Sequence, residues 1–138
     1  MATGTAGSAA RKTHMQVMHT MAFDVNYNDA GIASGVNTGK VLPAGAVISG
    51  VDVYVNTVFN AQTTNVLTVG TNGTTANDLV GSSDVNEASA QMFANITTGG
   101  ALGKLSADKP VYVKYTQTGT AATTGSATVV IKYVPNVN

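Results

Sequence analysis

Nucleophilic or acid–base catalysis needs a base, and the histidines of this chain are His14 and His19. They sit five apart in a stretch that alternates like a strand, so they point to opposite faces and cannot share a site within one chain. A Ser or Thr nucleophile activated by such a base needs the two brought together, and no G-x-S-x-G elbow occurs. The closest acidic pair, Asp84 and Glu87, has the three-residue spacing of a helix capping box. Capping explains that pair without a catalytic role.

Phosphate and metal chemistry fare no better. Gly35-Val36-Asn37-Thr38-Gly39-Lys40 has too few residues between its glycines for a phosphate loop, and Val41 stands where Ser or Thr would bind magnesium. It also leads into a strand pattern, where the motif requires a helix. Asp24-x-Asn26-x-Asn28 begins like a calcium loop, but position six is Asp29 instead of Gly, and position twelve is Gly35 instead of Glu. A polar loop with local side-chain turns is the better reading. With no cysteine there is no thiolate site and no disulfide. No metal and no cofactor is implied. The sequons at Asn72 and Asn95 have no meaning without secretion.

Basic and aromatic residues do cluster in sequence near the C-terminus, at Tyr112, Lys114, Tyr115, Lys132 and Tyr133. Nucleic-acid binding needs a basic patch interleaved with aromatics. Two lysines on a chain of seven basic and seven acidic residues make a weak footprint. Zero net charge likewise gives no pull toward an anionic membrane, so neither nucleic acid nor membrane is expected as a partner. The tyrosines fit cross-strand packing or a protein interface better; carbohydrate stacking stays open, although the chain has no Trp to make a strong platform.

The elements that must position these residues are strands. The organising stretch is Val41–Phe59, VLPAGAVISGVDVYVNTVF. From Val47 its residues alternate, with Val51, Val53 and Val55 on one side and Asp52, Tyr54 and Asn56 on the other, the signature of a half-buried strand. Its length predicts a central strand, bent near Gly50, entered through a turn at Leu42–Gly45. A second strand is predicted over Thr13–Val25, with Met15, Val17, His19, Met21, Phe23 and Val25 on one face. Apolar residues on its other face too, Met18 among them, predict a strand that is either central or covered by a partner. Asn26–Lys40 reads as a long loop, and loops of this length are uncommon unless functional or part of an interface. Asn65–Gly70 is a short strand ending near the Asn72-Gly73 turn, and Asp78–Gly81 is a further short candidate. Ser83–Phe93 is the one segment with helical character. Val111–Thr116 and Ala127–Val134 alternate on either side of a Gly/Thr loop and predict an antiparallel hairpin.

Together these elements predict one domain over residues 13–138, preceded by a flexible arm over Met1–Lys12 that contains the basic pair Arg11-Lys12. The fold class is all-β: an antiparallel β-sandwich with an extended N-terminal arm and at most one short helix. A jelly roll fits the length best, with an immunoglobulin-like sandwich as the alternative. Charged residues are 10% of the chain, against roughly 25% in ordinary soluble proteins; 20 Thr, 12 Asn and 15 Gly supply the polarity instead. Such a surface offers little repulsion between copies and suits a protein that lives in an assembly. The N-terminus has no apolar signal-peptide core.

The run VLPAGAVISGVDVYVNTVFN, then NVLTVGTNG, and later ADKPVYVKYTQTG and GSATVVIKYV, resembles small virion proteins of tailed bacteriophages. Within that group the chain is most similar to head decoration (cement) proteins of jelly-roll type. The resemblance spans Val41–Val134 and its motifs are structural, so it carries no catalytic residue. It implies a non-enzymatic protein on the outer capsid surface, made in the host cytoplasm, that binds the major capsid protein and self-associates as a dimer or trimer. A tail- or fibre-associated module binding host-surface carbohydrate is the alternative. The contact residues expected are Arg11, Lys12, Met15 and Met18 from the arm and first strand, Tyr27 from the long loop, and Tyr112, Tyr115 and Tyr133 from the C-terminal strands.

Overall fold

The computed structural model describes residues 17–135, and the arm expected over Met1–Lys12 lies outside them. Eight strands are present: β1 (His19–Asn26), β2 (Val36–Leu42), β3 (Val47–Thr57), β4 (Thr64–Gly70), β5 (Met92–Ile96), β6 (Gly103–Lys104), β7 (Lys109–Thr118) and β8 (Ser126–Val134). They form two antiparallel sheets. One has the order β1-β8-β3-β5, with β6 also paired to β3, and the other the order β2-β7-β4. Nearly every link in the chain therefore crosses from one sheet to the other, with β5 to β6 as the exception. This is an all-β sandwich of jelly-roll-like type.

The organising stretch does form a central strand. β3 pairs along β8 on one side and along β5 and β6 on the other. Its bend is a bulge: Ile48 faces Tyr133 and Gly50 faces Lys132, so Ser49 is the extra residue. That insertion shifts the alternation by one. Ile48 and then Val51, Val53 and Val55 all reach the core, and all are buried. Without the bulge, a strict period of two would turn either Ile48 or the valines outward. From the opposite sheet Leu42, Leu67, Val69, Val111, Val113 and Tyr115 close the core. The lead-in turn at Pro43–Gly45 carries the chain between sheets. Gly45 takes φ 81° there, and its N–H donates to the Leu105 carbonyl at 2.9 Å.

Three sequence expectations are corrected. Ser83–Phe93 is not helical: no helix exists among the described residues, Met92 and Phe93 open β5, and Asp84 and Glu87 bind elsewhere. The C-terminal pair is no hairpin, because β7 and β8 belong to different sheets. The loop expected over Asn26–Lys40 ends early at β2. Residues 26–35 are folded into successive turns (Asn26 to Asp29, Asp29 to Ile32, Gly31 to Ser34), with Ile32 buried. Asn37, Gly39 and Lys40 have poor strand propensity and hid β2 from view. Of the two places the sequence left open for β1, central or covered by a partner, the first does not hold: β1 is an edge strand among the described residues. Met21, Phe23 and Val25 face inward from it as the alternation required.

Candidate functional site

The seven carboxylates are all engaged in holding the chain. Asp29 accepts from the Asn26 N–H (2.8 Å), Asp108 from Ala44 N–H (2.7 Å), and Asp84 from Gly81 N–H (2.7 Å) and the Thr98 hydroxyl (2.7 Å). Asp78 takes the N–H and hydroxyl of Thr71, both at 2.6 Å. Asp52 accepts from Asn95 N–H at 2.8 Å and pairs with Lys132 at 3.3 Å, and Asp24 accepts from the Thr128 hydroxyl at 2.7 Å. Six of the seven thus satisfy a backbone N–H in a turn or on a strand edge or end, where no ladder partner exists. Asp24, which opens the calcium-like spacing, is turned to Thr128 on β8 instead. Among the described residues no group of three or more His, Asp or Glu is arranged to hold a metal.

Glu87 is the buried member of this set. Its Oε1 accepts from the Leu67 N–H at 2.7 Å, and its carbonyl accepts from Phe59 N–H at 3.0 Å. Burial pushes its carboxyl above the ordinary carboxylate value, and hydrogen bonds from Leu67 and its own amide pull partly back. Leu67 lies on β4, the outer strand of the smaller sheet, so this bond covers an otherwise open edge. Val69 on the same edge exchanges bonds with Leu79 and Val80. An open groove of about 330 Å³ lies beside Glu87, lined among others by Thr63, Asn65, Asn86 and Ala88. It offers the Thr63 and Thr64 hydroxyls, the Asn65 and Asn86 amides and the Glu87 carboxylate for hydrogen bonding.

Tyr115 is a core residue, which corrects its expected place among the contact residues. It is 1% exposed, its ring meets Phe59 at 4.7 Å, and its hydroxyl donates to Asn65 Oδ1 at 2.5 Å. Burial, and then the Glu87 charge, raise its phenol pKa and hold the proton on that donor. Tyr115→Phe should cost about 1 kcal/mol, the net worth of a buried hydrogen bond, and no more. Asn65 Oδ1 keeps its bond from Ala61 N–H at 3.0 Å. Urea denaturation of the two proteins is the check.

The other expected contacts fall in several places. Arg11, Lys12, Met15 and His14 lie outside the described residues. Tyr27 and Tyr133 are half-buried and pack on the core, and Tyr133 lies 5.9 Å from the His19 ring. Tyr112 is half-buried beside Gly73. Because β7 and β8 lie in opposite sheets, the sandwich core divides the basic–aromatic set: Lys114 faces out from one sheet and Lys132 from the other. Met18 is 49% exposed, and its sulfur accepts from the Ser49 hydroxyl at 3.7 Å.

Met18 shares the outer face of the larger sheet with two further exposed residues. Tyr54 on β3 and Met92 on β5 are cross-strand partners, 43% and 55% exposed. Between these apolar ends lie Ala22, Thr128, Val130 and the Asp52–Lys132 pair, and no described element covers them. Tyr54 was legible, since it alternates against the buried valines of β3. Met92 was not, because its surroundings looked helical.

The arrangement defines a class by its fold: an all-β sandwich of jelly-roll-like type. No protein-family model matches the chain, and no curated relative matches its sequence. Solved structures do match. The chain is similar to one in the acid-stable capsid structure of the Helicobacter pylori bacteriophage KHP30, with TM-score 0.59, 21% identity, and 88% of this chain and 90% of that chain covered. It is similar to a chain of the cyanophage Pam1 capsid asymmetric unit, with TM-score 0.58, 22% identity, and 85% and 84% covered. A chain in the capsid of Ralstonia phage GP4 matches with TM-score 0.56, 20% identity, and 88% and 86% covered. At this identity the likeness is one of fold, and it extends over almost the whole of each chain.

Proposed function

We propose that this is a structural, non-enzymatic virion protein that decorates the outer surface of a phage head and cements it. The single observation that carries this reading is the fold likeness, near full length in both directions, to chains from three phage capsid structures. The occupied carboxylates are in keeping with it, since such a role needs area and shape rather than a titrating site. The outer face of the larger sheet, with Met18, Tyr54 and Met92, is the surface assigned to the major capsid protein. Contacts of this kind are weak singly, and symmetry repeats them over the shell.

The test is the copy number of the chain in purified virions. A simple fraction of the major capsid protein's copy number is expected. A handful of copies per particle would move the protein to the tail, where carbohydrate binding becomes the reading to pursue, and absence from the particle would overturn the proposal.

A further inference from the structure

A sandwich of two open sheets has four edges, one of them shared by β5 and the two-residue β6, and three of the four are blunted here. β4 is covered by Leu79, Val80 and Glu87. β2 is bulged between Asn37 and Val41, where the Asn37 and Thr38 side chains accept from the Gly39 and Lys40 N–H groups. β5 is short and broken at Asn95, which takes φ 55°. These are the devices by which edges avoid chance pairing. β1 has none of them. Its eight residues pair with β8 without a shift, and it contains no proline and one carboxylate, Asp24.

The direction of its free groups follows from one bond. Tyr27 N–H donates to the Gly125 carbonyl at 3.0 Å, in the same register as Val25 opposite Ala127. Opposed residues in an antiparallel pair alternate between bonded and non-bonded. The odd residues of β1 therefore bond to β8, and the even ones aim their N–H and C=O outward. Asn26 agrees, since both its outward groups bond Asp29. Thr20, Ala22 and Asp24 are left with three donors and three acceptors that bond no other described residue.

We infer that this edge is the docking site for β1 of a second copy of the chain, joined antiparallel about a two-fold axis at Ala22. The side chains are self-complementary in that register. Thr20 lies opposite Asp24 of the second copy, so its hydroxyl meets the carboxylate, and the two Asp24 groups stand roughly 13 Å apart at 3.4 Å per residue. Met21 lies opposite Phe23 of the second copy. Both are half-buried at the open end of the core, and each covers the other. Two alanines meet on the axis, where bulk would obstruct the approach. The result is one sheet continuous across two protomers, the self-complementary interface of a two-fold dimer. The pairing rests on the edge itself and does not depend on what surface the protein coats.

Ala22→Pro tests it, because the N–H it removes has no use within the protomer and proline is tolerated at such an edge position. Sedimentation equilibrium of the full chain should show a dimer, twice the 14.0 kDa chain mass. The variant should be monomeric with an unchanged circular dichroism spectrum. A monomeric parent chain, a trimer, or a folded Ala22→Pro dimer would each overturn the inference. Loss of the dimer in a chain starting at Val17 would also overturn it, by giving the pairing to residues 1–16. Should Ala22→Pro fail to fold, Ala22→Cys decides in this cysteine-free chain. A disulfide dimer should form on mild oxidation, while Thr116→Cys on the other sheet stays monomeric, and no cross-link at residue 22 overturns the pairing.

Discussion

Gly125→Ala should be one of the most damaging single-methyl changes among the described residues, costing about 2–6 kcal/mol. Gly125 takes φ 148°, a conformation that residues with a Cβ rarely adopt, which alone costs about 1–3 kcal/mol. A Cβ there would also overlap the Phe59 ring, which is 1% exposed and wedged against Tyr115. Overpacking of this kind adds a further ~1–3 kcal/mol, because the ring has no empty space to move into. The Gly125 carbonyl meanwhile anchors the Tyr27 N–H at the end of β1. Thermal and urea unfolding should show a fall in midpoint on the order of 10 °C and reduced near-ultraviolet tyrosine ellipticity. Gly100→Ala, where a Cβ meets nothing within 4 Å, should leave the midpoint nearly unchanged.

The second large effect belongs to Glu87, and its two substitutions should separate. Glu87→Ala strands the Leu67 N–H in a buried site, which costs about 1–3 kcal/mol, and the lost packing adds to it. Glu87→Gln keeps an oxygen in place to accept that bond and should be far milder. The pH dependence has a definite sign. The folded-state pKa of Glu87 lies above its ordinary value of 4.5, so the folded protein holds this proton more tightly than the unfolded chain. The stability this lends is full below about 4.5 and is lost as pH rises through the folded pKa. Relative to the parent, Glu87→Gln should therefore gain stability between pH 4 and neutrality. Urea titrations at the two ends of that range measure the difference, and a Glu87→Gln variant that loses stability relative to the parent as pH rises would contradict the assignment.

Both predictions involve residues whose importance lay outside sequence reasoning, and the reasons are physical. Strand alternation is local, so the valine face of β3, the inward Met21, Phe23 and Val25 of β1, and the two faces of β7 and β8 were legible from composition and period. The scarcity of charge, the absence of cysteine and the separation of His14 from His19 also spoke against titrating chemistry at that level. The spacing of Asp84 and Glu87 is equally that of a helix cap. Only the position of β4 shows that a bare Leu67 N–H needed that carboxylate more.

What the sequence determined by itself was the class: a small all-β sandwich with a neutral, hydroxyl- and amide-rich surface. Tertiary structure alone decided which strands are neighbours. Alternation says which face of a strand is buried but nothing of which strand lies beside it, so β7 and β8, separated by one short loop, passed for a hairpin although they lie in opposite sheets. Edge or centre is likewise a property of the pairing. β1 reads the same in either place, and its free edge exists because β8 occupies one side of it and no described strand occupies the other.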